Sequence, residues 1–320
     1  MNFEKAIELL QRLIATPSVS REEGVAADIV EAELSSLGFA THRLHNNVWA
    51  EAHPHNPSLP TILLDAHIDT VKPNASWVRN PYEPTIEGSR LYGLGSNDTG
   101  GSLVALMAVF AQLSMTEQPY NLIMLASAEE EVTGAGGMRD VLPELGKIDF
   151  AIVGEPTAMQ AAVGERGLVV LDGLATGKSG HAARNEGDNA LYKAVEDIAL
   201  LRDYKFGKTS DVLGDIKISV TQIAAGSQHN IVPDSCRFVV DVRTTDAYTN
   251  EQTVELLQGA VRHSTLTPRS TRVRASAIST LHPLVRAAAA VGCKTFISPT
   301  TSDRAIMQGI PALKIGVGES

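Results

Sequence analysis

The stretch "LIMLASAEEEVTGAGG", residues 122–137, decides how this chain is read. Leu122 to Ala126 form an unbroken apolar run of strand length, the pattern of a strand buried on both faces of a sheet. Within three residues the run gives way to Glu129, Glu130 and Glu131, three adjacent carboxylates that repel one another. Gly134, Gly136 and Gly137 follow and add little stiffness. A core strand that ends in so much negative charge implies one of two things: water solvates all three carboxylates, or a cation sits among them.

Outward from this stretch the same pattern recurs. "TILLDAHIDTV" (61–71) is a second buried strand and carries His67 and Asp69 near its end. Residues i and i+2 share one face of a strand, so one of the pair can bind a metal while the other orients or supplements it. "IVGEPT" (152–157) places Glu155 after a third apolar run. "GLGSNDTGGS" (93–102) places Asp98 ahead of an apolar helix, as an N-cap or as a further ligand. In open α/β sheets, sites gather outside the carboxyl ends of the strands. His67/Asp69, Asp98, Glu130/Glu131 and Glu155 all fall at such ends or in the turns beside them. A His, Asp and Glu set without cysteine suits hydrolytic Zn2+, with Mn2+ or Co2+ as substitutes.

Helices expected at 4–15, 22–37, 101–113 and 135–145 alternate with strands expected at 47–52, 61–66, 120–127 and 149–153. This alternation predicts an α/β fold, a sheet with helices on both faces. Beyond residue 165 the pattern changes. "GLVVLDGLATG" reads as a strand, and "DNALYKAVEDIALLRDY" as a helix with Leu191, Val195, Ile198 and Leu201 on one face. "DIKISVTQI" and "CRFVVDVRTT" read as strands, followed by a helix over 250–263 and a short strand near 271–277. That order, β-α-β-β-α-β, is the ferredoxin-like unit. Helix–strand alternation then resumes. The expectation is a catalytic domain of residues 1–164 and 278–320, interrupted by an inserted α+β domain at 165–277.

Bulk properties narrow the function. The net charge is −10 and no basic stretch offsets it, which argues against a nucleic-acid or anionic-membrane partner. The N-terminal "MNFEKAIELLQRLIA" puts Ile7, Leu10 and Ile14 on one helical face, so it reads as a folded helix rather than a signal peptide. No run approaches the ~18 apolar residues of a membrane span. Cys236 and Cys293 lie far apart without metal-type spacing, the pattern of buried free thiols in a cytoplasmic protein. Neither glycine-rich segment makes a phosphate loop. "GLGSNDTGGS" lacks the Gly-Lys-Ser/Thr ending, and "GKS" at 177–179 has its upstream glycine, Gly173, one residue too close.

The four blocks, in this order and with the insert between them and the last alternation, resemble the co-catalytic zinc deacylase and exopeptidase family. That family includes acetylornithine deacetylase, succinyl-diaminopimelate desuccinylase, aminoacylase and the glutamate carboxypeptidases. The resemblance spans essentially the whole chain and implies a zinc exopeptidase-like mixed sheet carrying a ferredoxin-like dimerisation or lid domain. It implies two Zn2+ per subunit, with His67, Asp98, Glu131 and Glu155 as ligands, Asp98 bridging, and Asp69 holding the His67 imidazole. Glu130 would be the general base, and Glu129 stands where the family has an aspartate. It places His181, in "GKSGHAARNEGDNAL", in the partner subunit's site of a homodimer. Asn230, in "HNIVPD", and Arg243, in "VDVRTT", would hold the substrate, although an arginine on such a strand is also an ordinary surface residue. The family's last zinc ligand is a histidine a few residues past a segment like "PALKIGVGES", beyond Ser320, and a longer chain is expected to carry it. The family's lysine two residues after the bridging aspartate is replaced here by Gly100. The reaction implied is hydrolysis of an N-acyl amino acid, N-acetylornithine in arginine biosynthesis being the leading reading, with an N-succinyl substrate or a dipeptide as alternatives. A metal-deficient chain that only binds such ligands is the reading from another class.

Overall fold

The computed structural model describes residues 1–184 and 186–319, and the chain divides into two compact units. The first comprises Met1–Val163, Ile278–Phe296 and the residues from Ser302 onward. It contains helices α1 (Phe3–Ile14) and α2 (Gly24–Ser36), strands β1 (Thr41–Leu44), β2 (Asn47–Glu51) and β3 (Thr61–His67), and a hairpin of β4 (Thr85–Glu87) and β5 (Arg90–Tyr92). Helix α3 (Gly101–Leu113) and strands β6 (Asn121–Ser127), β7 (Phe150–Val153) and β8 (Ala161–Glu165) follow. The sheet runs β1-β2-β6-β3-β7-β17-β8, where β17 is Ala312–Lys314 near the end of the chain. Strand β3 is parallel to both β6 and β7, and β17 is parallel to β7, whereas β1 and β2 are antiparallel, so the sheet is mixed.

Alternation within the central strands explains their unbroken apolar sequence. Leu64 and Ala66 of β3 and Leu122, Met124 and Ala126 of β6 face Leu9, Leu10, Val30, Leu34, Met107 and Phe110 of the three helices. Leu63, Ile123 and Leu125 face the other way, onto Met138, Val141 and Met307. Both faces are therefore buried and largely apolar, Asp65 of β3 being a buried exception. The first helix seats Ala6, Leu9, Leu10, Leu13 and Ile14 rather than Ile7, which is only half-buried. The helix expected over 135–145 does not form. Two short turns, Ala135–Arg139 and Leu142–Leu145, take its place, because Gly137 is non-helical (φ −94°, ψ −139°) and Pro143 starts the second turn.

The second unit comprises Gly164–Ala277 with Ile297–Thr301. It holds β9 (Gly167–Thr176), β10 (Gly180–His181), α4 (Ala190–Asp203), β11 (Lys217–Ala225), β12 (Ile231–Val232), β13 (Ser235–Thr244), α5 (Asn250–Ala260), β14 (Ser264–Pro268) and β15 (Ser276–Ala277). The chain then passes through α6 (Pro283–Ala290) and β16 (Thr295–Ser298) to β17. The main sheet here is antiparallel with order β11-β13-β9-β14, and α4 and α5 cover it through Ala190, Ala194, Leu201 and Leu257. This is the strand order of the split βαβ unit.

Two expectations within this unit need correction. Its fourth strand is Ser264–Pro268, whose residues alternate inward and outward along β9, not the segment near 271–277. The end of that segment, Ser276–Ala277, instead pairs with Gly164 and Glu165. Helix α4 seats Leu191, Ile198 and Leu201 as expected, but not Val195. Val195 is 51% exposed while Asp197 is fully buried, accepting the backbone N–H groups of Arg262 and His263 at 2.8 and 3.0 Å. A buried carboxylate with such partners outweighs one apolar side chain in setting the helix face.

Candidate metal centre

His67 ends β3 and is 3% exposed. Its Nδ1 lies 2.9 Å from the main-chain oxygen of Asp69. A carbonyl only accepts, so Nδ1 carries the hydrogen and Nε2 points its lone pair the other way. What it meets there are carboxylates: Asp98 Oδ1 at 3.2 Å and Glu155 Oε1 at 3.9 Å. Lone pair facing carboxylate is repulsive unless a proton or a cation lies between them.

Glu130, Glu131 and Glu155 arrive from strand ends beside that of His67, and Asp98 from the turn Ser96–Gly100 ahead of α3. The parallel order β6-β3-β7 brings the turn after Ser127, the end of β3 and the loop after Val153 to one edge. Two ligand sets form there, His67 with Asp98 and Glu131, and His67 with Glu130 and Glu155. Within each set the donor atoms lie within 4.8 Å of one another. Asp98 is not an N-cap. Helix α3 is preceded by Gly100, which has no side chain with which to cap, and the Asp98 side chain is 56% exposed beside His67.

Asp69, 1% exposed, organises the edge. Its Oδ1 accepts the backbone N–H of Glu130 at 3.0 Å, and its Oδ2 accepts that of Glu131 at 3.2 Å and the Ser20 hydroxyl at 2.6 Å. The imidazole is nearer to the Asp69 carbonyl than to its carboxylate, which stands 3.5 Å from Nδ1. One residue thus holds the histidine with its main chain and the acidic turn with its side chain.

Glu129 leaves the cluster. Its backbone is left-handed (φ 55°) and its carboxylate turns back toward Arg21 Nε, 3.6 Å away. The three glycines make room for it. A Cβ on Gly134 would lie 1.8 Å from Glu129 Oε2, one on Gly136 2.6 Å from Oε1, and one on Gly137 2.1 Å from the Ala128 oxygen. In "EEEVTGAGG" the glycines serve close approach rather than looseness, and of the three carboxylates only Glu130 and Glu131 enter the ligand sets.

Electrostatics match a cation-binding edge. Burial holds the Glu130 carboxyl well above the ordinary range; His67 offsets part of this, and Asp303, Glu155 and Glu131 add to it. Burial also raises Glu131. For His67, burial pushes toward the neutral form, but the Asp69 and Asp98 hydrogen bonds and the nearby glutamates outweigh it and raise the imidazole well above its usual value. Asp69 and Asp98 are lowered despite burial, chiefly through His67. His67, with Lys314 also acting on Asp98, faces more carboxylates than it can offset, and the nitrogen–oxygen donor set fits a divalent cation.

A cleft of about 620 Å³ opens beside Asp98 and Glu131, lined also by Trp77, Arg79 and Tyr92. Among the described residues Arg79 is the one basic residue of its lining. It forks onto Glu87 at 2.7 and 2.9 Å and lies 4.4 Å from the centroid of the Tyr92 ring. Neither Arg79 nor Ser20 was singled out from sequence. "SVSREE" carries no motif, and Arg79 gains its place only through the β4–β5 hairpin.

His181, Asn230 and Arg243 belong to the second unit. His181 is exposed on β10 opposite Ile231, and the Asn230 carbonyl accepts the Ala182 N–H at 3.0 Å, so His181 and Asn230 adjoin. Arg243 is forked onto Asp241 at 2.8 and 3.1 Å. Of the two cysteines, Cys236 is buried and Cys293 only half-buried.

Residues 63–320 match the family described as Peptidase family M20/M25/M40. The succinyl-diaminopimelate desuccinylase of Sphingopyxis alaskensis is 28% identical over 79% of this chain and 71% of its own length. That of Erythrobacter litoralis is 25% identical over 98% and 91%. Among solved structures, aminopeptidase PepT of Bacillus cereus superposes with a TM-score of 0.79 at 18% identity, over 99% of this chain and 90% of that one. A dinuclear metal-binding peptidase of Bacillus subtilis gives 0.71 at 18% identity, over 98% and 88%.

Proposed function

Because this chain belongs to Peptidase family M20/M25/M40, we propose that it hydrolyses the amide bond of an N-acyl amino acid, with succinyl as the acyl group. The observation that carries the reading is the gathering of Asp98, Glu130, Glu131 and Glu155 around the one free nitrogen of His67. Two features favour succinyl over the acetyl group first expected. The two relatives compared by sequence are named desuccinylases, and among the described residues the cleft beside the centre contains a single cation, Arg79, able to face a distal carboxylate. Nothing in these names favours N-acetylornithine or arginine biosynthesis.

His67, Asp98, Glu131 and Glu155 would hold the metal, zinc in this reading. Two divalent cations, when bound, would polarise the acyl carbonyl and make water more acidic. Glu130, its carboxyl already raised by burial, takes a proton from the attacking water as the oxygen–carbon bond forms. It returns that proton to the amine nitrogen as the carbon–nitrogen bond breaks, releasing a carboxylic acid and an amine. Asp69 keeps Glu130 in place through the backbone N–H at 3.0 Å.

The same reading assigns His181 to oxyanion stabilisation across a homodimer, and Asn230 and Arg243 to the substrate's α-carboxylate, which would have to displace Asp241 from Arg243. The dimer is assigned to strand β11, which ends the second unit's sheet and whose outer edge no described strand covers. A cytoplasmic setting fits the unpaired Cys236 and Cys293. Among the described residues no helix is long and apolar enough to cross a membrane.

The test is a panel of N-succinyl and N-acetyl amino acids and dipeptides, run on wild type and Glu130→Gln with metal content measured in parallel. The variant should keep its metal and lose ~10²–10⁴-fold in kcat. Full activity in Glu130→Gln, or cleavage confined to dipeptides, would defeat the reading.

A further inference from the structure

We infer that Ser20 is a positioning residue for the metal centre, acting through Asp69; this rests on the proposed hydrolytic reading. The segment Ser18–Glu23 lies alongside the residues that follow β3. The Thr70 N–H donates to the Ser18 carbonyl at 2.8 Å, and the Ser20 N–H donates to the Thr70 carbonyl at 3.3 Å. These main-chain bonds anchor the segment by themselves, so the Ser20 hydroxyl is not needed to hold it. That hydroxyl donates to Asp69 Oδ2 at 2.6 Å, the shortest of the bonds to this carboxylate.

The Asp69 carboxylate has several duties, and they conflict unless its plane is fixed. Oδ1 serves the Glu130 N–H at 3.0 Å and faces the imidazole at 3.5 Å, while Oδ2 serves the Glu131 N–H at 3.2 Å. A rotation about the Cβ–Cγ bond that favours one glutamate N–H weakens the other. The serine bond sets that rotation. Asp69 is 1% exposed and Ser20 half-buried, so a water taking the hydroxyl's place would donate to the carboxylate without the chain's hold on its direction. Ser20 therefore fixes the spacing between the imidazole and the Glu130–Glu131 turn, which is the spacing a cation requires. Outer residues that orient metal ligands typically contribute 10–100-fold to metal affinity or activity.

The experiment is Co2+ titration of the full chain against a competing chelator, read by visible absorption, for wild type, Ser20→Ala and Ser20→Thr. Thermal unfolding of each metal-free protein is followed alongside. Ser20→Ala should bind Co2+ roughly 10–100-fold more weakly, and Ser20→Thr, which keeps the hydroxyl, should recover most of the loss. In turnover the deficit should fall on kcat rather than KM, because Ser20 touches the centre and not the substrate. A Ser20→Ala protein that is folded and binds Co2+ like wild type would overturn the inference. So would one that Ser20→Thr fails to rescue. These arms use the metal alone, so a wild type that binds Co2+ but cleaves no acyl amino acid would sink only the proposed reaction.

Discussion

The guanidinium of Arg79 illustrates how much one side chain can decide. Its fork onto Glu87 is solvent-exposed, with side-chain exposures of 40% and 52%, and pairs of that kind contribute little to folding. The pair can therefore be exchanged for a ligand carboxylate, while the Tyr92 ring keeps the guanidinium in the cleft. Two substitutions should move the enzyme in opposite directions. Arg79→Met should lower kcat/KM for an N-succinyl substrate by roughly ten-fold and leave its N-acetyl counterpart nearly unchanged. Glu87→Gln, which frees the guanidinium, should raise the succinyl value about two- to three-fold. Equal effects on both acyl groups would remove Arg79 from substrate selection. In the sequence the candidate ligands stand out as charged residues just past apolar runs. His67 ends β3, whereas Asp69 lies two residues beyond that strand, so the expected shared strand face does not extend to it. Arg79 and Ser20 were not legible. Their positions depend on a hairpin and a loop whose close approach to the centre leaves no periodic trace.

Elements were read best where burial is two-sided. Strands β3, β6 and β7 and helix α3 lie within one residue of expectation at each end, because an apolar run and its flanking glycines leave little choice. Elements with one face in solvent were harder. Strand β14 is short and ends in Pro268, and strands β1 and β8 and the hairpin β4–β5 were missed altogether. Helix α4 kept its extent and its expected face except at Val195. The exception matters, because Tyr192 (68%) and Val195 (51%) are exposed on α4, while Ile223 (50%) is exposed on the edge strand β11 that α4 packs upon. An uncovered nine-residue edge strand invites pairing with its own copy about a two-fold axis. Charges placed there should prevent it. Sedimentation of the wild type is expected to give a dimer, and of Val195→Glu combined with Ile223→Lys a folded monomer. A wild type that sediments as a monomer, or a variant that stays dimeric, removes this edge as the interface.

At the scale of the molecule, the centre draws on residues scattered from Ser20 to Glu155, so its charge imbalance acts on the stability of the folded chain. In metal-free protein His67 sits well above 6.5, so its contribution is complete below that value and lost as pH rises through the folded one. Glu130 sits well above 4.5, so its ionisation penalises the fold as pH rises above that value. Asp69 and Asp98, lowered from 3.8, lose their contribution only in acid and stay constant across neutrality. The signs agree: chelated protein should unfold roughly 5 °C lower at pH 8 than at pH 5.5, and added Zn2+ should reverse the difference. A chelated protein whose Tm rises over that interval would contradict the charge balance described here. The donor set has one further consequence. Imidazole and carboxylates carry no sulfur, so peroxide finds nothing to oxidise among the ligands. Ageing in air should begin instead at the thiol of half-buried Cys293 and at the thioether of Met115, which is 82% exposed.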